Sequence, residues 1–527
     1  MKTTVDTLPN DAVLLKKIVL EQQDQLVNQQ DQLASQQQTI STLMDALRLE
    51  KVRRFGASSE KCPSQNELFD EAEAHCNDVS DETGTSEAAD ASAEVTVKPA
   101  SAKPRRKPLP KDLPRIRQVY ELPEDERHCP CGCTLSEIGE DISEQLDIIP
   151  AKLRVIQHVR KKYACKHCEE TLLTAAKPAK LLPKSNASAG LLAYVATAKY
   201  QDALPLYRLS SIFKRLGIDL SRQTLSDWMV NTGLRLEPVL DTLRAQLHLG
   251  PVIHCDETTL QVLNEKDKAA QSKSYMWVQK GGPPGRPIVL FNYDRSRAGD
   301  VPLRLLEGYR GALMTDGYAG YGAIAKQDGI THLCCMAHLR RKFVDAQKSQ
   351  PKKGKATRVS RADMAVNFIR KLYMIEQQHK NSDRETRYRA RQEKSKAILN
   401  SFRDWMTETR PSILPKSKLG EALAYANKYW DKATRYIENG DWPIDNNPAE
   451  NAIRPFVIGR KNWLFSSSVN GAHSSAALYS LIETAKLNLH EPYDYLRWLF
   501  TELPKFEGKD LEPLMPWNVD PLNIRPS

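Results

Sequence analysis

Past Pro251 the chain leaves the helical period and enters a succession of short β-type runs, a change that narrows the available folds more than anything else in it. VIHCDETTLQVL, SYMWVQK and PIVLFNYD read as three strands separated by turn residues. A helix-like stretch at 298–308 follows, then a strand GALMT running up to Asp316, a helix-like 318–326 and a strand THLCC.

Strand-strand-strand-helix-strand-helix-strand is the order of the ribonuclease H type fold. There the centre of the first strand lies beside the end of the fourth, so Asp256 and Asp316 are expected to face each other despite 59 intervening residues. A third carboxylate is expected from a later helix, and Asp445-Asn446-Asn447-Pro448-Ala449-Glu450 offers Glu450 at a helix start. The same residues also read as a capping box, with Asn447 as N-cap, Pro448 in the first helical position and Glu450 reaching back. Three converging acids repel one another and call for hard divalent cations, Mg2+ with Mn2+ as a substitute. Two such ions about 4 Å apart stabilise the attacking and leaving oxygens of an in-line phosphoryl displacement, with no side-chain nucleophile required.

At 527 residues the chain is long enough for three to five units. Its 76 Lys plus Arg against 66 Asp plus Glu leave a formal charge of +10, which makes nucleic acid a candidate partner. No long apolar run or secretory signal is evident, so a cytoplasmic, nucleoid-associated protein without membrane contact is expected.

The expected architecture is multidomain α+β. Residues 1–60 form an N-terminal helix, since Val19, Leu26, Leu33, Ile40 and Leu47 recur at sevenfold spacing, although Gln22, Gln29 and Gln36 spoil the second seam. A weak coiled coil that helps a homodimer or higher synaptic assembly form is the expectation, with an amphipathic helix packed on its own domain as the alternative. Residues 61–110 read as a disordered linker: 66–95 hold ten acidic side chains and no Lys or Arg, and a basic Pro-rich stretch follows.

Residues 111–180 carry CPCGC at 129–133 and Cys165-Lys166-His167-Cys168 on either side of a strand-like segment, the spacing of a small structural Zn2+ module. One ion held by Cys129, Cys131, Cys165 and Cys168 is expected, with Cys133 or His128 as substitutes in the irregular first knuckle. Residues 181–245 hold a helix-turn-helix pattern, with a turn at Gly217 and a second helix capped by Ser221. That places Arg222, Gln223 and Thr224 at its exposed start as candidates for double-stranded DNA contact.

The core is expected in two parts, 246–344 and 441–500, separated by a helical insertion at 345–440 too long for a loop and followed by a tail at 501–527. Cys335 and His338 form a C-x2-H pair just after the fifth strand; a buried Cys with a polar His is favoured over metal binding, since two ligands alone hold an ion poorly. Arg454, Arg460, Lys461 and Trp463 flank Glu450; the cations are phosphate-binding candidates, and Trp463 reads more simply as core.

HCDETTLQVL, YMWVQ, LMTDGYAGY, AHLRRKF, IDNNPAENAIRPFVIGRKNWLF and ALYSLIETAKLN together resemble the signature blocks of bacterial DDE transposases of the insertion sequence sixty-six family. Two departures stand out: Cys255 replaces a usually small residue, and the first knuckle reads CPCGC. The resemblance implies binding of terminal inverted repeats, metal-dependent strand cleavage and transfer into target DNA, with Asp256, Asp316 and Glu450 as the metal-binding triad. It also implies small accessory proteins encoded beside the gene, and places His338 near the scissile phosphate. The competing readings are a DNA-binding regulator of transposition without catalysis, and a structure-specific nuclease of the same fold.

Overall fold

The computed structural model describes residues 152–164, 172–349 and 360–525, together with 115–119, 143, 145 and scattered helical positions between 16 and 47. The chain divides into two units, 1–83 with 160–527, and 84–159. Described residues of the second unit carry no regular secondary structure. In the first, Leu26, Leu33, Ile40 and Leu47 are helical and more than half exposed.

A two-stranded hairpin, β1 (Lys162–Ala164) and β2 (Leu172–Thr174), precedes four helices: α1 (Ala189–Tyr200), α2 (Leu206–Arg215), α3 (Arg222–Arg235) and α4 (Glu237–Leu247). The turn between α2 and α3 uses Gly217 at φ +90, a conformation that a Cβ would strain. Ser221 caps α3, its Oγ accepting from the Thr224 N–H at 3.0 Å. α3 then packs on a later helix so closely that a Cβ at Gly233 would meet Ser474 Cβ at 2.4 Å.

Five strands follow: β3 (Val252–Asn264), β4 (Lys273–Gly281), β5 (Ile288–Asp294), β6 (Gly311–Thr315) and β7 (Ile330–Cys334), with the short α5 (Asp300–Leu305) between β5 and β6. They form a mixed sheet in the order β5-β4-β3-β6-β7; β3, β4 and β5 run antiparallel, while β6 and β7 are parallel to β3. Between β6 and β7 the helix expected at 318–326 is instead two 3-10 turns, Ala319–Gly322 and Ile324–Lys326. Glycines at 317, 320 and 322 give this segment little helical preference, and it holds Tyr321 in the core.

After β7 come α6 (Met336–Ser349), α7 (Arg361–Gln378), α8 (Arg384–Ala390), α9 (Lys396–Thr409) and α10 (Lys418–Thr434). These helices share a core of their own, built on Leu339, Phe343, Ile369, Leu372, Phe402, Leu423 and Trp430. A π-turn at Arg391–Ser395 joins α8 to α9, and there the buried Arg391 guanidinium uses four of its five N–H donors. It donates to both oxygens of Glu376 at 2.9 and 2.6 Å and to the carbonyls of Tyr436 and Asn439 at 2.9 and 2.5 Å.

The chain ends with α11 (Asn447–Trp463), β8 (Ser466–Ser468), which pairs with β3, α12 (Val469–Leu487) and α13 (Pro492–Glu502). α12 covers the free edge of β5, whose backbone would otherwise be buried without partners. Ser480 accepts from the Phe291 N–H at 2.8 Å, and Thr484 both accepts from Val289 N and donates to its carbonyl, each at 3.0 Å. No helix among the described residues is long and apolar enough to cross a membrane.

Candidate active site

The register of β3 on β6 sets the site. His254 pairs with Met314 across parallel strands, so two residues further along Asp256, within the long β3, stands level with Asp316, just past the end of β6. Asp256 Oδ1 accepts from the Glu257 N–H at 2.8 Å, and Asp316 Oδ1 accepts from the Tyr318 N–H at 2.8 Å. Burial pushes the Asp256 carboxyl well up, and the charges of Glu257, Asp316 and Glu450 push it the same way. Clustered carboxylates disfavour one another's ionisation in this way.

α11 delivers Glu450. The expected capping box is absent: the helix begins at Asn447 with Asn446 in the cap position and no side-chain cap bond. Asn446 is engaged elsewhere. Its Nδ2 donates to the Cys255 carbonyl at 2.9 Å and its Oδ1 lies 3.1 Å from His254 Nδ1, tying the helix start to β3. Glu450 is thereby free of a capping role. Its Oε1 is buried without a hydrogen bond, 3.4 Å from His338 Nδ1, while Oε2 accepts from Arg341 Nη2 at 3.4 Å. Burial lowers the His338 imidazole, with Glu450 opposing that shift. Among the described residues, the group whose ligand atoms all lie within 4.8 Å of one another is Cys335, His338 and Glu450.

The other candidates fall on two sides. Arg460 is half-buried against β3, its Nη1 donating to Thr258 Oγ1 at 3.0 Å and contacting Thr259 Oγ1 at 3.3 Å. Arg454 donates to Asn451 Oδ1 at 3.1 Å, Lys461 is exposed, and Trp463 packs edge-on to Phe456 with ring centroids 5.5 Å apart. At the start of α3, Arg222 and Gln223 are exposed and Gln223 donates to Asp227 Oδ1 at 2.8 Å, while Thr224 bonds Ser221. His128, Cys129, Cys131, Cys133, Cys165 and Cys168 lie outside the described residues.

Sequence reasoning passed over a second layer. On the opposite face of β3 from Asp256, Glu257 is buried and receives Arg297 Nε at 2.8 Å, Arg297 Nη2 at 2.5 Å and Tyr321 OH at 2.7 Å. The Arg297 guanidinium lies 3.7 Å from the centroid of Tyr318, whose hydroxyl donates to the Arg297 carbonyl at 2.8 Å. The insertion also reaches the site, through Tyr425 OH donating to the Asp316 carbonyl and Tyr373 OH to Asp445 Oδ2, at 2.8 and 2.7 Å. The signal for Glu257 was its place beside Asp256; its partners, distant in sequence, gave none.

Comparison with known proteins accords with this geometry. A family model described as "Transposase IS66 family" matches residues 184–474. Others match a "zinc-finger binding domain of transposase IS66" at 126–169, an "IS66 C-terminal element" at 480–517 and a "Transposase C of IS166 homeodomain" at 42–117. The uncharacterized protein y4qI of Sinorhizobium fredii is 34% identical over 440 residues, covering 80% of each chain. The uncharacterized protein y4hP of the same organism is 32% identical over 491 residues, covering 89% of this chain and 88% of its own. No solved structure matches the chain. With the family model spanning more than half of its length and full-length relatives at this identity, the chain belongs to the IS66 family of transposases.

Proposed function

We propose that the chain is the DDE-type transposase of a bacterial insertion sequence, cleaving DNA at terminal inverted repeats and joining the freed 3′-hydroxyl to target DNA. The observation that carries this reading is the level placement of Asp256 and Asp316 on adjacent parallel strands, with the charge of Glu450 felt at Asp256. The strand order β5-β4-β3-β6-β7, with only the first three antiparallel, supports a ribonuclease H type core and with it the same reading.

Asp256, Asp316 and Glu450 would hold Mg2+, or Mn2+ in its place, and the buried unpartnered Oε1 of Glu450 fits a carboxylate meant for a cation. When bound, the metal activates water or the 3′-hydroxyl and stabilises the displaced oxygen. Asp256 within β3 and Asp316 just past β6 would orient the ions from a rigid sheet, and Tyr318 N–H and Tyr425 OH fix the carboxylate and the backbone carbonyl of Asp316 respectively. Arg341, Arg454, Arg460 and Lys461 supply positive charge toward the phosphates, and His338 stands beside the reacting phosphodiester.

Arg222, Gln223 and Thr224 at the start of α3 read base edges in the repeats. Cys129, Cys131, Cys165 and Cys168, with Cys133 or His128 as substitutes, would hold a structural Zn2+, and the exposed seam from Leu26 to Leu47 would join two copies in a synaptic assembly. The protein then works on the nucleoid in the cytoplasm, with accessory proteins of the same element as partners.

The test is strand nicking and joining on a duplex carrying the element end, with Mg2+ supplied. Asp256→Asn should abolish both steps while leaving DNA binding intact. Equal cutting by variant and parent would overturn the catalytic assignment of Asp256, a parent that binds the duplex without cutting it would be a DNA-binding regulator, and nicking without joining would mean a nuclease.

A further inference from the structure

The carboxylate that serves magnesium also belongs to a second, chemically different group. Cys335 and His338 occupy the cap position and the third residue of α6, so their side chains emerge together at that helix start and meet Glu450 on α11. His338 Nδ1 and Glu450 Oε1 are both buried without a hydrogen bond, although they stand only 3.4 Å apart. That separation is close to the edge of a tetrahedron around an ion bound at about 2.0–2.1 Å, which is about 3.3–3.4 Å. The Cys335 Sγ completes the group within 4.8 Å and is fully buried. Backbone N–H groups point at that sulfur, from Asn446 at 3.2 Å and from His338, although burial and the charges of Asp445 and Glu450 keep it a thiol in the absence of a cation. Sulfur, imidazole and carboxylate together select zinc-like ions over magnesium, which takes oxygen ligands.

We propose that Cys335, His338 and Glu450 form a binding site for a thiophilic divalent cation of the Zn2+ class, whose occupancy withholds Glu450 from magnesium. The withholding rests on the catalytic reading of Glu450; the binding itself does not. Binding deprotonates the Cys335 S–H, the proton passing to buffer, and forms the metal–sulfur bond. Open coordination positions are left to water, since the protein supplies three ligands.

The experiment uses the full chain, stripped with chelator and dialysed against Zn2+ in the presence of excess Mg2+, with metal content read by elemental analysis. The parent should retain one Zn2+ per chain more than Cys335→Ser, and His338→Asn should lose the same ion. Co2+ loading should show a thiolate charge-transfer band in the parent that is weaker in Cys335→Ser by the share of one site. Equal metal content in parent and both variants, each still unfolding cooperatively on heating, would overturn the proposal. Nicking assays separate the two readings. Zn2+ should inhibit Mg2+-dependent cleavage by the parent at concentrations that leave Cys335→Ser active. Loss of the extra ion in the variants, with no cleavage by either protein, would keep the binding site and remove the catalytic reading instead.

Discussion

Arg297 holds Glu257 with two nitrogens on one oxygen, Oε1, while its flat guanidinium lies over Tyr318. The pair thus links the residue after Asp256 to the loop that begins at Asp316. Truncation in Arg297→Ala should disturb the relative placement of the two aspartates rather than DNA affinity. We expect the Mg2+ concentration for half-maximal cleavage to rise by about 10- to 100-fold, as for other groups that orient metal ligands. Arg297→Lys should recover little, because a point charge cannot reproduce the fork and the stacked plane. An unchanged Mg2+ dependence in a folded Arg297→Ala protein would show that the link does not position the acids.

Arg391 and Glu376 give a stability prediction remote from the site. Arg391→Met leaves a largely buried Glu376 without its cation and two carbonyls without their donor. A loss of about 3–5 kcal/mol is expected from urea unfolding. The double replacement Arg391→Met with Glu376→Met should cost clearly less than the sum of the singles, because the stranded charge is gone.

Two histidines set an acid limit. Burial lowers His254 to about 4 and, together with Lys432 and Arg435, lowers His332 to about 3. Lys432 Nζ donates to His332 Nδ1 at 3.0 Å, which leaves Nε2–H to donate to Thr315 Oγ1 at 2.9 Å, so the ring is neutral in the fold. An unfolded histidine binds protons below about pH 6.5, where the folded one does not, so stability is full above that pH and is lost as pH falls toward 4. Between pH 7 and pH 5 the loss should be about 2 kcal/mol per histidine, measured by urea midpoints. His254→Gln should flatten that slope; a slope identical to the parent's would show that His254 does not titrate this way.

Gly233 tests the docking of α3. A Cβ there would fall 2.4–2.5 Å from Ser474 atoms, backbone included, so Gly233→Ala must push α3 off α12. Overpacking of this kind costs about 1–3 kcal/mol. Ser474→Gly in the same chain should restore part of that loss, seen as a recovered melting temperature.

Much of this was legible in the sequence where local pattern and function coincide. The strands around Asp256 and Asp316 are short apolar or β-branched runs bounded by turn residues and can be read as such, and Ser221 before α3 is an unambiguous cap. The segment 318–326 misled because tyrosines and alanines at helical spacing hide the cost of its two glycines and of Gly317 just before it. The cap expected at Asn447 falls one residue earlier for a related reason: Asn-Asn-Pro suits a cap at either asparagine, and only the tertiary bonds of Asn446 to His254 and Cys255 decide how the first is used. The C-x2-H pair looked short of ligands because Glu450, more than a hundred residues further on, completes it only in three dimensions. Arg297 and Tyr321 were invisible for the same reason.

Because Asp256 and Asp316 owe their meeting to strand register alone, the connections can change length freely while the strands cannot. Removing one residue from the first half of β3 would turn Asp256 toward Tyr321 and present Glu257 to α11 instead. Drift in this lineage should therefore accumulate as inserted or lost loop residues, with every surviving copy keeping its count from Val252 to Asp256 and from Gly311 to Asp316.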